Sequence, residues 1–407
     1  MRDLLFLSHR IPYPPKKGDK IRAWHTLRHL ARRRRVYVGC FVDDEQDWAD
    51  VHVLRDLAVE TCILSLPKGQ ALSRTVPALV TGEPLTVPYY FDPAMARWTA
   101  RVRRTRDCSV LVYSSSMAQY VAGDGSSPRI IDFVDVDSQK WCAYARTKRW
   151  PVSQLYRREC AALLATERRI AAEFDASIFV SDAEAALFRR LAPESASKVF
   201  AVSIGVDTEH YSPDLAHADP YHGRGRSVVC FTGMMDYWPN VDAVSWFAAE
   251  ALPRLRRLRP DVTFYIVGAN PVRAVQRLGG QPGIVVTGRV PDTRPYLAHA
   301  SVVVAPLRIA RGIQSKVLEA MAMGRPVVAS EPAFEGLRVG RDRDVLVTNT
   351  ADGFVEAITE VWNGRGAALG AAAMKTVRDE YRWPEQLSAL DAIFESIEHG
   401  AEERASA

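Results

Sequence analysis

A chain of 407 residues is too long for one typical hydrophobic core, and this length predicts two domains. Hydrophobic residues make up 47% and charged residues 25%, a composition that excludes disordered and fibrous proteins. The formal net charge is only +5, but residues 1–205 hold 31 of the 53 Lys and Arg residues and 23 of the 48 Asp and Glu residues. The basic excess therefore belongs to the first half of the chain.

Two features of the sequence predict a cytoplasmic protein. No apolar run approaches the ~20 residues that span a bilayer, and the N-terminal run "MRDLLFLSHRIPYPP" lacks a cleavage site of small residues. The cysteines are scattered, without a CxxC pair or a Cys/His cluster at zinc spacing, so we expect reduced thiols in the core. These cysteines are Cys40, Cys62, Cys108, Cys142, Cys160 and Cys230.

Short β-branched runs alternate with helical patterns along almost the whole chain, which is typical of parallel strands joined by crossover helices. The first half contains predicted strands at residues 4–8, 36–42, 61–66, 109–114, 130–136, 176–181 and 198–203. The second half contains predicted strands at residues 228–233, 263–268, 284–288, 301–307, 326–330 and 344–349. The pattern predicts an α/β fold of two Rossmann-like, doubly wound domains.

The predicted boundary lies in residues 206–226, a linker rich in Pro, Gly, Asp and His without a periodic pattern. It separates an N-terminal domain, residues 1–205, from a C-terminal domain, residues 227–380. Residues 381–407 predict a terminal helix with a polar tail. Because ligands of such sheets bind beyond the carboxyl ends of the strands, we expect the site in a cleft between the two domains.

Two loops of the first domain are candidate binding elements. Gly18 in "PPKKGDKIR" leaves room for a ligand beside the backbone, although Gly18 and Asp19 also suit an ordinary helix start. In "DFVDVDSQKW", Asp132, Asp135 and Asp137 follow a strand and could serve as a general base or a magnesium site. Helix capping and loop solvation explain such aspartates equally well. His9, after the first strand, is a lesser candidate.

The clearest candidate in the second domain is "RIARGIQSKVLEAMAMGRPVVAS", residues 308–330. It predicts a helix from about Gly312 to Met323, whose first amides, at Gly312, Ile313 and Gln314, favour a phosphate. Lys316 and Glu319 share one face and suit the phosphate and the ribose of a nucleoside diphosphate. An ordinary surface Lys–Glu pair is the alternative. Gly233 ends a strand, and Asn240 is predicted to cap the next helix.

The segment "GIQSKVLEAMAMGRPVVAS" resembles the donor-binding signature of the family 4 glycosyltransferases of the GT-B fold. The segments "FTGMMDYWPNVDAVSWF", "VTGRVPDTRPYLAHASVVVAPL" and "RIPYPPKKGDKIRAWHTLRHL" resemble one branch of that family, the sugar transferases of exosortase-type exopolysaccharide loci. The resemblance extends from about residue 1 to about residue 385. It implies that the final helix packs back on the first domain.

The resemblance also implies roles for individual residues. It places Lys316 on the donor diphosphate, Glu319 on the ribose, and Gly18 close to the donor diphosphate or the acceptor. Gly233 could let the backbone approach the donor, and an ordinary strand-to-loop turn explains it equally well. Asp135 lies where many relatives have an acceptor-site His or Asp, and it is our candidate catalytic carboxylate. The remaining donor contacts are Arg289 and Val290 beside the nucleobase and Gly312, Ile313 and Gln314 beside the phosphates.

This chain departs from the family in two places. Arg311 stands where the family has a first glutamate that contacts the donor sugar. The sugar contact of that glutamate therefore does not carry over. The usual Arg and Lys of the loop after the first strand of the second domain are also missing from "GMMDYWPN". We therefore expect Arg308 or Arg311 to join Lys316 in neutralising the diphosphate.

The resemblance implies a retaining, metal-independent transferase without a cofactor. It would move a sugar from a UDP or GDP donor to a hydroxyl, most simply that of a lipid-linked saccharide. A sugar-nucleotide epimerase and a non-catalytic scaffold are the alternatives. The basic segments "HLARRRR" and "ARTKRWPVSQLYRR" predict contact with an anionic membrane at its inner face, and no recognised motif predicts a nucleic-acid partner.

Overall fold

A computed structural model of the chain describes residues 2–15, 18–123, 125, 127–222, 227–310 and 312–406. The chain divides into two compact units, the first formed by Met1–Ser203 with Gln386–Ala407 and the second by Ile204–Glu385. Residues 206–222, in the segment predicted as a linker, belong to the second unit, where Tyr221 is buried. Each unit is built around one parallel sheet.

The sheet of the first unit has seven strands in the order β3-β2-β1-β4-β5-β6-β7. The strands are β1 Asp3–Ser8, β2 Val36–Val42, β3 Glu60–Ser65, β4 Cys108–Tyr113, β5 Arg129–Val134, β6 Ala176–Phe179 and β7 Val199–Ala201. The connecting helices are α1 Gly18–Ala31, α2 Val51–Leu57, α3 Lys68–Thr75, α4 Ala78–Thr81, α5 Thr86–Tyr89, α6 Pro93–Thr105, α7 Asp137–Thr147, α8 Val152–Glu173 and α9 Asp182–Leu191.

Most residues of these strands are apolar because helices cover both faces of a parallel sheet. Every residue of β2 and of β4 is buried. Leu5, Phe41, Val110 and Ile131 come from four different strands and belong to one buried cluster. The strand order reverses between β1 and β4, and this reversal opens a crevice beyond their carboxyl ends.

The sheet of the second unit has six strands in the order β10-β9-β8-β11-β12-β13. The strands are β8 Val228–Thr232, β9 Thr263–Val267, β10 Ile284–Gly288, β11 Val302–Ala305, β12 Val327–Ala329 and β13 Leu346–Val347. The helices are α10 Trp238–Trp246, α11 Leu252–Leu258, α12 Arg273–Leu278, α13 Arg294–His299, α14 Ser315–Ala322, α15 Glu331–Phe334, α16 Ala351–Glu360 and α17 Gly366–Glu380. Here the strand order reverses between β8 and β11.

The last helix, α18 Trp383–Ser406, packs within the first unit from Gln386 onward. Leu387, Leu390 and Phe394 are buried. Asp391 accepts a hydrogen bond from His29 Nε2 at 2.9 Å, and Glu398 pairs with Arg34. Among the described residues, no helix combines the length and the apolar character that crossing a membrane requires.

The two parallel α/β sheets confirm the predicted fold class. Each predicted strand is present, with ends that differ by at most two residues. The prediction that all six cysteines are reduced is wrong, because Cys142 in α7 and Cys160 in α8 form a disulfide with their Cα atoms 5.2 Å apart. The two helices pack against each other, and this contact brings together thiols that are 18 residues apart in sequence.

Candidate functional site

The candidate donor site lies where the strand order of the second sheet reverses. Gly233 follows β8, and α14, which carries Lys316 and Glu319, follows β11. A Cβ atom at position 233 would lie 2.7 Å from Asn240 Nδ2 and 3.2 Å from Lys316 Nζ. The structure therefore brings three of these sequence candidates together, and it leaves no room for a side chain at Gly233.

A second glycine, which the sequence analysis missed, makes this approach of backbones feasible. Gly268 follows β9, the strand beside β8, and a Cβ at this position would lie 1.7 Å from the Gly233 carbonyl oxygen. The Gly233 N–H donates to the Val267 carbonyl at 3.0 Å, so the two strand ends stay in register up to this point. Gly268 thereby fixes the position of the Gly233 backbone.

The Lys316 ammonium group is held mainly by neutral partners. Its Nζ donates to Asn240 Oδ1 at 2.5 Å and lies 4.6 Å from the centroid of the Phe231 ring. Asn240 Nδ2 in turn donates to the Met234 carbonyl at 2.9 Å, which orients the amide oxygen toward Lys316. Burial lowers the pKa of Lys316 to about 7, although the Glu319 carboxylate opposes this shift. An anion beside Nζ would stabilise the charged form.

The sequence predicted that Asn240 caps a helix, and this prediction is wrong. Helix α10 begins at Trp238, two residues earlier, with Pro239 in its first turn. Asn240 is therefore the third helical residue, and its buried side chain points to the Met234 carbonyl and to Lys316. Its position in the first turn makes it a positioning residue for the lysine.

Glu319 lies one turn after Lys316 on α14 and is also partly buried. Burial raises the pKa of the Glu319 carboxyl to about 7, against the opposing effects of Lys316 and of the Tyr211 hydroxyl. Tyr211 is hydrogen-bonded to Glu319 and to Thr293. Because Tyr211 comes from the segment predicted as a linker, sequence spacing gave no signal that it would reach α14.

The loop before α14 differs from the predicted helix start. Helix α14 begins at Ser315, three residues after Gly312, and Gln314 stands at its N-cap with φ −86° and ψ 96°. Gly312 has φ 64°, a left-handed conformation that glycine adopts without steric cost and that turns the chain before the helix. Gly312, Ile313 and Gln314 are therefore loop residues that lead to α14, and the expectation that they open the helix is wrong.

The other predicted donor contacts lie at or near the carboxyl edge of the second sheet. Arg308 is exposed and pairs with Asp242 of α10, its Nε donating to Oδ2 at 2.9 Å. Arg289, exposed, and Val290, half-buried, follow β10, two strands away from β8. Arg311 lies outside the described residues.

In the first unit, strained backbone marks the carboxyl ends of β4 and β5. Ser114 has φ 82° and Val134 has φ 69°, values that are costly for residues other than glycine, above all for a β-branched one. Asp135 follows Val134, and its Oδ2 lies 2.8 Å from Lys140 Nζ. Its other carboxylate oxygen is buried without a hydrogen-bond partner in the structure. Strain and an unsatisfied oxygen together favour a functional role for this loop.

The three aspartates of this segment do not converge on one point. Asp132 is buried within β5 and accepts from Arg22 Nε at 2.8 Å, whereas Asp135 and Asp137 share Lys140. Within the described ranges of the chain, no three side chains of the His, Cys, Asp and Glu types form a group that could hold a metal ion. The interpretation of these aspartates as a magnesium site is therefore wrong.

Gly18 is the exposed first residue of α1, and a Cβ there would meet no atom within 4 Å. The space beside Gly18 is therefore open to a ligand but does not itself require glycine. Asp19 pairs with Arg10 at 2.8 Å and lies 3.6 Å from His9 Nε2. Burial opposes ionisation of Asp19, but His9 and Arg10 outweigh it and hold the pKa of Asp19 well below its usual range.

Comparison with known structures shows the same architecture. Sucrose-phosphate synthase from Thermosynechococcus elongatus is similar over 98% of this chain and 100% of that chain, with a TM-score of 0.71 and 16% identity. HepE from Anabaena, solved in complex with UDP and glucose, is similar over 97% of this chain and 100% of that chain, with a TM-score of 0.66 and 15% identity. The fold is that of the GT-B glycosyltransferases.

Sequence comparisons agree with this fold. Residues 226–363 match the family described as "Glycosyl transferases group 1". The matched residues lie within the second unit of the chain. A curated relative from Mycolicibacterium smegmatis, the GDP-mannose-dependent alpha-(1-6)-phosphatidylinositol monomannoside mannosyltransferase, is 29% identical over 238 residues. That match covers 53% of this chain and 61% of the relative.

Proposed function

We propose that this protein is a glycosyltransferase that moves a sugar from a nucleoside-diphosphate donor to a hydroxyl acceptor. The observation that carries the proposal is the placement of Lys316 Nζ beside Gly233 at the reversal point of the second sheet, with Glu319 one turn further along α14. Such crevices are where open α/β sheets bind their ligands. A partly buried ammonium held mainly by neutral groups suits a diphosphate, and a carboxylate one turn away suits ribose hydroxyls.

In the proposed reaction, Lys316 stabilises the charge that develops on the departing nucleoside diphosphate. Lys316 makes this contribution without a resident metal or cofactor. An oxygen of the leaving diphosphate helps to accept the proton of the acceptor hydroxyl on the same face of the sugar, so the anomeric configuration is retained. Glu319 and Tyr211 hold the donor in position, and Gly268 and Asn240 keep the Gly233 backbone and Lys316 in place.

The proposed acceptor side belongs to the first unit. Asp135 is the candidate that would orient the acceptor hydroxyl or stabilise positive charge on the sugar, and Lys140 fixes its rotamer through the 2.8 Å ion pair. The name of the mycobacterial relative contains a mannosylated phosphatidylinositol, which supports a lipid-linked acceptor. The resemblance to the exopolysaccharide branch of family 4 supports a role in polysaccharide assembly at the inner face of the membrane.

The donor base is proposed as uracil or guanine. UDP and UDP-glucose are the ligands named for HepE structures, and GDP-mannose is the donor named for the mycobacterial relative. Both donors share the diphosphate and the ribose, the parts that Lys316 and Glu319 are proposed to bind.

Product analysis with and without an acceptor tests the proposal. The protein is incubated with UDP-glucose or GDP-mannose alone, and then with a polyprenyl-diphosphate-linked sugar. We expect slow hydrolysis of one donor without acceptor and a new glycolipid of retained configuration with acceptor. Conversion of the donor to an isomeric sugar nucleotide would instead identify an epimerase, and no turnover despite nucleotide binding would identify a scaffold. An Asp135→Asn variant should bind the donor normally but lose transfer.

A further inference from the structure

Apolar side chains of the first unit are exposed to solvent on two neighbouring segments. One segment is α3 with α4, and the other is the turn between α7 and α8 with the start of α8. Val80 is 91% exposed, Trp150 79% and Val76 60%. The full set, here called the docking surface, consists of Leu72, Val76, Leu79, Val80, Trp150, Val152 and Leu155.

Hydrogen bonds join the two segments on one side of the unit. Arg158 of α8 donates to the carbonyl of Ala78 in α4 and, at 3.0 Å, to that of Glu83. The neighbouring Glu159 Oε1 accepts from the Leu85 N–H at 2.8 Å. Arg158 lies one turn after Leu155, and Ala78 lies two residues before Val80. The two segments therefore meet at this contact, and their exposed apolar side chains belong to neighbouring elements of the first unit.

The two segments themselves carry basic residues only, and acidic partners lie just outside them, where Asp92 pairs with Arg74 at 3.9 Å and Glu159 with Arg158 at 3.4 Å. Residues 66–82 and 146–158 contain no Asp or Glu. Lys148, Arg149 and Arg157 are exposed beside Trp150 and Leu155. The basic residues of the two segments are Lys68, Arg74, Arg146, Lys148, Arg149, Arg157 and Arg158. Such a surface attracts an anionic partner and repels a second copy of itself.

We propose that the docking surface binds an anionic lipid bilayer. Each Lys or Arg close to an anionic leaflet is attracted to its negative surface potential. Apolar side chains that protrude from helices enter the interfacial region without needing matching pockets, and tryptophan prefers that region. A protein partner would have to supply both negative charge and a pocket for each of these side chains. The bilayer supplies negative charge and an apolar layer together.

The structure also separates the two basic segments that the sequence analysis linked to a membrane. In "HLARRRR", Arg34 pairs with Glu398 and lies 4.5 Å from the centroid of the Phe394 ring, while Arg33 pairs with Asp391 at 3.4 Å. These contacts attach the turn after α1 to α18 within the first unit. Leu30, the one leucine of "HLARRRR", is buried, whereas "ARTKRWPVSQLYRR" exposes Trp150 and Leu155 and is therefore the segment proposed to face the lipid.

Docking at a bilayer would bring the protein to a lipid-linked acceptor, and in that respect the inference rests on the proposed function. Docking places the first unit, which carries the Asp135 loop, at the membrane surface where such an acceptor resides. Vesicle binding needs neither a donor nor turnover, so it can succeed or fail independently of transferase activity.

The test is co-sedimentation of the full chain with phosphatidylcholine vesicles that contain or lack about 30% phosphatidylglycerol, in low salt. We expect binding to the anionic vesicles and at least about tenfold weaker binding to the neutral ones. Two double variants, Val80→Glu with Trp150→Glu and Arg149→Glu with Arg157→Glu, should each weaken binding to anionic vesicles by about tenfold or more. Circular dichroism confirms that each variant is folded.

Two control variants introduce a glutamate at an exposed apolar or basic position outside the docking surface. Leu258→Glu changes an apolar residue that is 61% exposed in the second unit, and Arg104→Glu reverses an exposed charge at the end of α6. Both should bind vesicles as the wild type does. Equal binding of the wild type to neutral and anionic vesicles, or unchanged binding of the docking-surface variants, would overturn the proposal. If those variants instead convert a wild-type dimer to monomers, the surface joins two copies of the chain.

Discussion

The environment of Lys316 is the clearest support for its proposed role in binding a diphosphate. It is partly buried beside an amide oxygen and an aromatic face, which stabilise an ammonium less than water or a carboxylate would. This explains why burial lowers its pKa to about 7 despite Glu319 nearby. A diphosphate beside Nζ would supply the missing negative charge and raise the pKa again. Binding of the nucleotide should therefore be coupled to protonation of Lys316.

Proton uptake provides a prediction for this residue. At pH 8.5 most Lys316 side chains of the free protein are neutral, whereas Glu319, with a pKa of about 7, is already ionised. Binding of UDP or GDP at that pH should take up close to one proton, and affinity should fall as the pH rises from 7 to 9. Calorimetric titration in two buffers of different ionisation enthalpy measures the uptake.

The control for this measurement is Lys316→Arg, since arginine keeps its proton throughout this range. The variant should bind nucleotide without proton uptake and with little dependence of affinity on pH. Uptake that persists in the arginine variant would assign the proton to another group.

The close approach of the Gly233 carbonyl to Gly268 gives a second prediction at this scale. Gly268→Ala places a methyl group 1.7 Å from that oxygen, so the two strand ends must separate. We expect the free energy of unfolding to fall by about 2 kcal/mol or more and nucleotide binding to weaken at least tenfold. Gly280→Ala, where the nearest heavy atom lies 3.6 Å from the new Cβ, is the control and should change neither quantity. If Gly268→Ala binds the nucleotide as tightly as the wild type does, the two strand ends can separate without disturbing the site.

Sequence patterns could predict Lys316 and Glu319 because both lie on one short helix with a recognisable spacing. They could not predict Tyr211, Gly268 or the contact of Asn240 with Lys316, because these residues come from separate segments that meet only in the folded sheet. The aspartates after β5 show the opposite error. Their clustering in sequence suggested one site, but alternation along the strand turns Asp132 into the core, toward Arg22.

At the scale of elements, the packing of α7 on α8 determines two properties of the first unit. It brings Cys142 and Cys160 into a disulfide and buries Glu167 of α8 beside the start of α7. Glu167 Oε1 accepts from the Ser138 N–H at 3.1 Å. The packing of α8 on α7 thus holds in place the helix that carries Lys140, the partner of Asp135.

Loss of the disulfide should destabilise the first unit. In the chain-entropy account, a cross-link between residues 18 apart stabilises the folded state by about 3 kcal/mol. Cys142→Ser should therefore lower the free energy of unfolding by about that amount. Urea unfolding with and without a reductant measures the effect. The wild type with reductant should match the variant, and a variant as stable as the oxidised wild type would contradict the account.

The buried carboxyl group of Glu167 predicts a pH dependence of stability. Burial raises its pKa to about 8, above its value in the unfolded chain, so its contribution is greatest at low pH and is lost as the pH rises through 8. Glu167→Gln keeps the hydrogen-bond acceptor but cannot ionise. Its free energy of unfolding relative to the wild type should rise by about 1 kcal/mol per pH unit between pH 5 and 8.

Urea unfolding at pH 5, 6.5 and 8 measures this difference. Glu173→Gln, an exposed position on the same helix, is the control and should show no such trend. A constant difference between Glu167→Gln and the wild type across this range would mean that Glu167 titrates normally in the folded protein.

Strands were easier to predict than helix ends. The β-branched runs coincide with the strands because a parallel sheet buries both of its faces. The start of α14 was misjudged because Gly312 takes a left-handed conformation, which turns the chain instead of beginning a helix. Paired cysteines could not be inferred from spacing alone, since the pairing depends on how α7 and α8 pack.

At the scale of the whole molecule, each unit places its candidate residues beyond the carboxyl ends of its strands, at or beside the point where strand order reverses. The alternation of strands and helices in the sequence was enough to predict two such sheets. It could not show that residues from the predicted linker, such as Tyr211, contact Glu319 of the candidate donor site, since that segment has no periodic pattern. The alternation also could not show that the basic segment "HLARRRR" pairs with α18, whereas "ARTKRWPVSQLYRR" exposes apolar side chains.

The central claim is that the second unit binds a nucleoside diphosphate through Lys316 and Glu319. Calorimetric titration of UDP and GDP, without added metal, into the wild type, Lys316→Ala and Glu319→Ala tests it most directly. We predict binding of one nucleotide with a Kd on the order of micromolar, weakened by about 1–3 kcal/mol in each variant. If neither nucleotide binds, or if both variants bind as tightly as the wild type, the assignment of the donor site is contradicted.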